Sequence, residues 1–377
     1  MKTRAALLYD VGLPQPYENS RPLHIEEVEL ADPGPNEVLV RIRAAGLCHS
    51  DLSVINGDRP RPTPMAIGHE ASGTVEALGA GVTDLAIGQH VVLVFMPSCG
   101  HCQPCAIGRP ALCEPGAAAN GAGTLLGGDR RISLDGRAIN HHLGCSAFAD
   151  YAVVSRRSLV PIDDRVLFEH AALFGCAVLT GMGAVLNTAR IEAGASVAVV
   201  GLGGVGFASV LAALAAGARQ VVAIDRIASK LSLARAIGAS HVFDASEGDV
   251  VASVREATGG GVDYAFEMAG AIGALDTAYR ITRRGGTTVT AGLANPAALW
   301  PLQAVSLVAE ERTVKGSYIG SCVPVRDLPR YASLFLQGRL PVDRLLSEKI
   351  GLADINAGFD RLAQGESIRQ IVMMDAA

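Results

Sequence analysis

Residues 197–206 read Val-Ala-Val-Val-Gly-Leu-Gly-Gly-Val-Gly, and no other stretch restricts the fold of this chain as strongly. The apolar run Val197–Val200 suits a buried strand, a G-x-G-x-x-G turn follows at once, and Phe207–Ala216 is rich in helix formers. Gly201 permits a tight turn, Gly203 lets the backbone approach a pyrophosphate, and Gly206 lets helix and strand pack closely. The helix N-terminus then offers its unpaired N–H groups to phosphate. Gln220–Asp225 reads as a second strand that ends in an acid. Asp225 can accept both ribose hydroxyls, and its charge opposes a 2′-phosphate, which points to NAD over NADP. Arg226 beside it is a cation that could meet such a phosphate. Gly204, Val205 and Lys230 complete the residues assigned to the cofactor.

The same stretch imitates a membrane span, since Ala193–Ala218 carries no charge and exceeds the roughly 20 residues that cross a bilayer. Its glycine cluster fits a strand, a turn and a helix better than one continuous helix. At the N-terminus, the apolar stretch Ala5–Tyr9 stops at Asp10, too soon for the core of a secretory signal. A cytoplasmic protein is expected. With 49% apolar and 18% charged side chains, 377 residues supply core enough for two or three domains. The net charge of −5 and the lack of any Lys/Arg block argue against a nucleic-acid partner.

Residues 22–95 alternate apolar and polar positions in short runs between Pro and Gly, the pattern of small antiparallel strands and of a barrel-like region. From about residue 170 to 320, apolar strands alternate with helical stretches, which indicates βαβ units and a parallel sheet. The tail mixes a helical stretch, LPRYASLFLQG, with strand pieces in PVDRLLSEKI and IRQIVMMD. It is too short to fold alone and is expected to return to the first domain. The fold class is therefore α/β: a β-barrel domain over residues 1–177 with a return at 320–377, and a doubly wound parallel-sheet domain over 178–319.

In a reducing compartment the eight cysteines are better read as metal ligands than as disulfides. Cys99, Cys102, Cys105 and Cys113 are spaced as four thiolates around one tetrahedral Zn²⁺, a closed structural site. An iron–sulfur cluster is the competing reading, but the proline that follows the last cysteine of ferredoxin motifs is absent. Cys48, His69 and Cys176 are scattered, and singly each reads as a core residue as readily as a ligand.

Taken in order, Cys48-His49-Ser50-Asp51, Gly68-His69-Glu70, the four-cysteine lobe and the glycine turn resemble the zinc-dependent medium-chain alcohol dehydrogenases over essentially the whole length. The closest likeness is to the long branch with two zincs per subunit, which includes the class I and glutathione-dependent forms. The resemblance implies a GroES-like barrel domain, a Rossmann domain, NAD and two Zn²⁺. It implies that Cys48, His69 and Cys176 hold a catalytic zinc whose fourth position is open, with Glu70 beside it as a transient ligand or a balancing charge. Such a zinc is a Lewis acid for an alcohol oxygen, and the nicotinamide takes the hydride.

By the same resemblance, Ser50 accepts the alcohol proton, and His49 and Arg369 face the cofactor pyrophosphate. Phe95, His142, Leu143, Leu293 and Tyr318 line the substrate pocket. Ser53 stands where many relatives place a relay histidine, and Ala117 stands where the glutathione branch has an arginine. The expected substrate is a primary alcohol or aldehyde, bulky or aromatic. A polyol or secondary-alcohol dehydrogenase is the alternative, although many of those replace the third ligand by Glu. A non-catalytic cofactor-binding protein is the other. A homodimer is expected, with a tetramer as the alternative; no membrane partner is expected.

Overall fold

The computed structural model describes residues 1–374. The chain forms two compact units. The first takes Met1–Cys176, Val323–Gly338 and the chain from Val342 onward, and the second takes Ala177–Cys322 with Arg339–Pro341. The sequence reading drew its boundaries at 177/178 and 319/320, and the units divide at 176/177 and 322/323; the short return Arg339–Pro341 had no signal in the sequence.

In the first unit, strands Lys2–Leu8, Leu23–Leu30, Ile132–Leu134, Arg137–His141 and Met65–Ala66 close a barrel. The first of them pairs antiparallel with both the second and the last. Alternate side chains from these strands, among them Leu7, Val28, Leu30, Ile132 and Ile139, make one core cluster, as period-2 patterning requires. Beside the barrel lies a seven-stranded sheet with the long strand Glu37–Gly46 at its middle. The tail supplies Gln370–Met373, antiparallel to that strand, and Glu348–Gly351, parallel to Gln370–Met373. Within PVDRLLSEKI only the last residues form a strand, because Val342–Leu345 is a 3₁₀ turn.

The second unit is a six-stranded parallel sheet in the order His241–Asp244, Gln220–Asp225, Ser196–Val200, Val262–Glu267, Thr282–Thr290, Thr313–Gly316. Numbered along the chain, the order is 3-2-1-4-5-6, with the switch point beside Ser196–Val200. That strand is fully buried, and its residues pack with Val222, Ile224 and Ala265. The uncharged stretch 193–218 is broken as its glycines require, into the strand Ser196–Val200 and the helix Gly204–Ala215. One other helical run, Phe168–Ala189, is long and apolar enough to cross a membrane, yet 83% of its apolar window is buried inside the protein. Burial of that extent is the signature of a core helix.

Candidate metal and cofactor sites

Cys48, His69, Glu70 and Cys176 all belong to the first unit, and their ligand atoms lie within 4.8 Å of one another. Three local devices bring them together. Cys48 caps the helix His49–Ile55, where Asp51 accepts the Cys48 backbone N–H through Oδ2 at 3.2 Å. His69 and Glu70 follow Gly68, whose φ is +104° and whose would-be Cβ would sit 2.5 Å from the Phe148 backbone nitrogen, so only glycine fits. Cys176 lies in the helical run after Phe168–Leu173.

The Cys48 and Cys176 sulfurs are 4.0 Å apart. Two thiolates on one tetrahedral zinc, at about 2.3 Å each, stand roughly 3.8 Å apart. His69 donates Nδ1–H to Asp51 Oδ1 at 2.8 Å, which leaves the Nε2 lone pair facing the cluster. His69 Nε2 and both Glu70 oxygens are buried without a hydrogen-bond partner. Buried orphans of this kind cost about 1–3 kcal/mol each, and a cation at the cluster removes that cost. The donor set therefore fits Zn²⁺.

The surroundings act on the donors in different senses, with the Cys48 neighbour and burial pushing the Cys176 thiol up. The hydrogen bond from the Cys176 thiol, helped by Arg369 and His69, holds Cys48 well below the usual thiol range against its burial. Burial, opposed by Arg369, pushes the Glu70 carboxyl up to about 7. Arg369 is almost wholly buried. Its Nη1 donates to the Leu47 carbonyl at 2.8 Å, and its Nη2 lies 3.8 Å from the Cys48 sulfur and 3.6 Å from Glu70. The residue expected at a cofactor phosphate is thus also a member of the metal cluster, with Nε as its remaining unpartnered donor.

Cys99, Cys102, Cys105 and Cys113 form the second cluster, partly exposed apart from the buried Cys113. Its shape comes from backbone N–H groups aimed at sulfur. Cys99 and Gly116 donate to the Cys113 sulfur at 3.2 and 3.4 Å, and Cys102 donates to the Cys99 sulfur at 3.3 Å. Cys102 and Cys113 hold their sulfurs 3.9 Å apart, again the spacing of two thiolates on one zinc. Cys113 also caps the helix Glu114–Ala122.

In the second unit Gly201 has φ +94°, and a Cβ on Gly206 would stand 1.8 Å from the Gly201 carbonyl oxygen, so both glycines are sterically required. Nothing lies within 4 Å of a Cβ built on Gly203, which leaves that side open to a pyrophosphate. Gly204 and Val205 open the helix. Asp225 binds the turn itself: Oδ2 accepts from Leu202 N–H at 2.6 Å, and Oδ1 from the N–H groups of Arg226 and Ile227 at 2.8 and 3.0 Å. Lys230 is buried, which lowers its pKa, and the Asp225 charge counters that shift.

Phe95 lies at the first unit's cluster, where its ring meets His69 edge-on at 5.2 Å, and Leu143 is buried in the same unit. Leu293 is exposed and Tyr318 half-buried, both in the second unit. His142 departs from expectation. It is fully buried, with Nδ1 at 3.3 Å from both Asp51 Oδ1 and the Gly68 N–H, so it belongs to the support of His69 rather than to an open pocket wall. His49 is exposed at the helix start, and Ser50 is half-buried behind it. The Ser53 hydroxyl donates to the Ser50 carbonyl at 2.9 Å. Asp51 is the functional residue that motif reading missed. It stood in the quoted Cys-His-Ser-Asp, but its role depends on a histidine far along the chain.

Residues 34–164 match the family model described as alcohol dehydrogenase GroES-like domain, and residues 204–337 match zinc-binding dehydrogenase. The putative alcohol dehydrogenase D of Mycobacterium tuberculosis is 38% identical, covering 99% of this chain and 100% of its own length. The S-(hydroxymethyl)glutathione dehydrogenase of a Synechocystis strain is 36% identical over 99% of this chain and 100% of its own. The crystal structure of benzyl alcohol dehydrogenase from Acinetobacter calcoaceticus superposes with a TM-score of 0.92 at 30% identity, covering both chains completely. With barrel, parallel sheet and both cysteine clusters in place, the chain belongs to the zinc-dependent medium-chain alcohol dehydrogenases, and it is an alcohol dehydrogenase.

Proposed function

We propose that the protein interconverts primary alcohols and aldehydes, bulky or aromatic ones included, using NAD and two zinc ions per chain. The observation that carries this reading is the buried set Cys48, His69 and Cys176, with His69 Nε2 and the Glu70 carboxylate unpartnered. Three ligands and an open position are the pattern of catalytic rather than structural zinc. When bound, zinc would supply a Lewis acid for the alcohol oxygen, and NAD a hydride acceptor.

The chain's own residues do the rest. Asp51 orients His69, Arg369 balances the thiolates and Glu70, and Phe95 and Leu143 keep water from the site. Ser50 takes the alcohol proton. Ser53 donates its own proton to the Ser50 carbonyl, so its lone pairs are what it can offer to a departing proton, and ordered water or another base ends the relay. Asp225, already fixed by three backbone N–H groups, accepts the ribose hydroxyls and disfavours a 2′-phosphate.

Retention of Cys176 favours this reading over a polyol or secondary-alcohol dehydrogenase. The benzyl alcohol dehydrogenase likeness supports an aromatic substrate, and the uncharged Ala117 opposes a glutathione adduct. We assign a homodimer contact to the sheet edge Thr313–Gly316, which pairs on one side only; Leu299, Val305 and Val308, shortly before it in the chain, are exposed apolar residues. A cytoplasmic location fits the reduced thiols. The test is a panel of aliphatic, aromatic, secondary and glutathione-derived alcohols with NAD and NADP, read by reduced-cofactor absorbance. Highest kcat/KM for aromatic primary alcohols with NAD is expected; preference for polyols or NADP would refute the reading.

A further inference from the structure

Asp51 has no exposed surface, and its Oδ1 stands between two imidazoles, 2.8 Å from His69 Nδ1 and 3.3 Å from His142 Nδ1. A carboxylate oxygen has two lone pairs, so both rings can be served by one atom. Oδ2 is occupied by the Cys48 N–H. His142 is itself tightly placed: its backbone N–H reaches Ser146 Oγ and the Ala66 carbonyl, both at 3.2 Å. The Gly68 nitrogen also lies 3.3 Å from His142 Nδ1, but that ring nitrogen has one in-plane site, and beside a buried carboxylate it carries the proton. His142 therefore touches the support of His69 at the carboxylate that holds the His69 Nδ1. The two rings stand at 89° with centroids 5.6 Å apart.

We propose that His142 is a positioning residue for His69, donating Nδ1–H to the Asp51 Oδ1 that also holds His69, so that His69 Nε2 is presented to the metal in a single orientation. The inference rests on the metal reading of Cys48, His69 and Cys176 given above. Packing alone would not need nitrogen here, because a phenyl ring fills the same space. A ring N–H directed at a buried carboxylate has a positional task.

The test replaces zinc by Co²⁺ and compares the parent with His142→Phe and His142→Asn, whose amide nitrogen lies near the place of Nδ1. Readouts are the Co²⁺ d–d band, the rate of zinc release to a chelator and the melting temperature. The Cys99 lobe contributes equally to all spectra and cancels in the differences. His142→Phe should move the band and release the zinc held by His69 about 10-fold faster, and His142→Asn should restore most of both. A folded His142→Phe protein with the parent's band and release rate would overturn the proposal, as would an Asn variant no better than the Phe one. His69→Ala separates the two levels: if it leaves the band unmoved, the metal reading itself fails.

Discussion

The two cysteine clusters reach similar sulfur spacings by opposite routes. The lobe takes four sulfurs from residues 99–113 and shapes them with N–H groups of that loop and of the helix that follows it, in partly exposed surroundings. The other takes its donors from positions 48, 69, 70 and 176, all buried, and shapes them with a helix cap, a glycine turn and a helical run that the sheets hold in place. A loop with so little core of its own depends on its metal for shape. A site built into a sheet keeps its shape whether or not the metal is bound, and can spend a coordination position on chemistry.

The sharpest way to break this contrast is to remove one ligand from each cluster. Cys102→Ser should yield mostly insoluble protein or a melting temperature lower by more than about 10 °C, since structural zinc binding of roughly 10–16 kcal/mol is folding energy. Soluble yield and calorimetry check it. Cys48→Ser or His69→Ala should lower kcat/KM by about 10³-fold or more, the equivalent of at least about 4 kcal/mol, with melting shifted by only a few degrees. A collapse of folding in these variants would erase the distinction.

Two further variants sharpen the comparison from outside the clusters. Asp225→Ala should weaken NAD binding by about 1.5–3 kcal/mol, the scale of hydrogen bonds to a charged group, and improve tolerance of NADP, with both metals retained. Titration calorimetry and metal analysis would read both arms. His141 is a buried imidazole held by protein alone: Nε2 accepts the Arg131 N–H at 3.1 Å, and Nδ1 bonds Ser146 Oγ at 3.1 Å. Burial, with the nearby Arg130 and Arg131, lowers its pKa to about 3. Its contribution is therefore fully present above about pH 6.5 and is lost as pH falls from there toward 3, because the unfolded chain binds the proton first. Between pH 6.5 and 5 the loss amounts to about 2 kcal/mol. His141→Gln should flatten that slope in urea melts, whatever it does to the baseline.

Much of this could be read from the sequence wherever neighbours in space are neighbours in the chain. The lobe cysteines and the Gly201–Gly206 turn with Asp225 announce themselves by spacing. Cys176 carries no local signal, and its place beside Cys48 exists only once the sheets are built. Asp51 reads as an ordinary helix cap until His69 arrives against it. His142, assigned by likeness to a pocket wall, packs edge-on against His69 with its Nδ1 drawn to Asp51. The Gly/Ala-rich stretch after Cys113 holds no periodic apolar face, and its helix starts where the Cys113 sulfur caps it.

The smallest expected effect belongs to Ser53→His. An imidazole there can store a proton near neutral pH, so alcohol oxidation should rise less than about 10-fold, mostly near pH 7 and little near pH 9. A pH profile superimposed on the parent's would take Ser53 out of the relay.

The central claim is that one cluster serves chemistry and the other serves folding, and zinc per chain in the Cys48→Ser protein tests it most directly. The expected result is two zinc ions in the parent and one in the variant, which melts like the parent and does not oxidise alcohol. A variant that keeps both ions and its activity, or one that loses both and unfolds, would contradict the account.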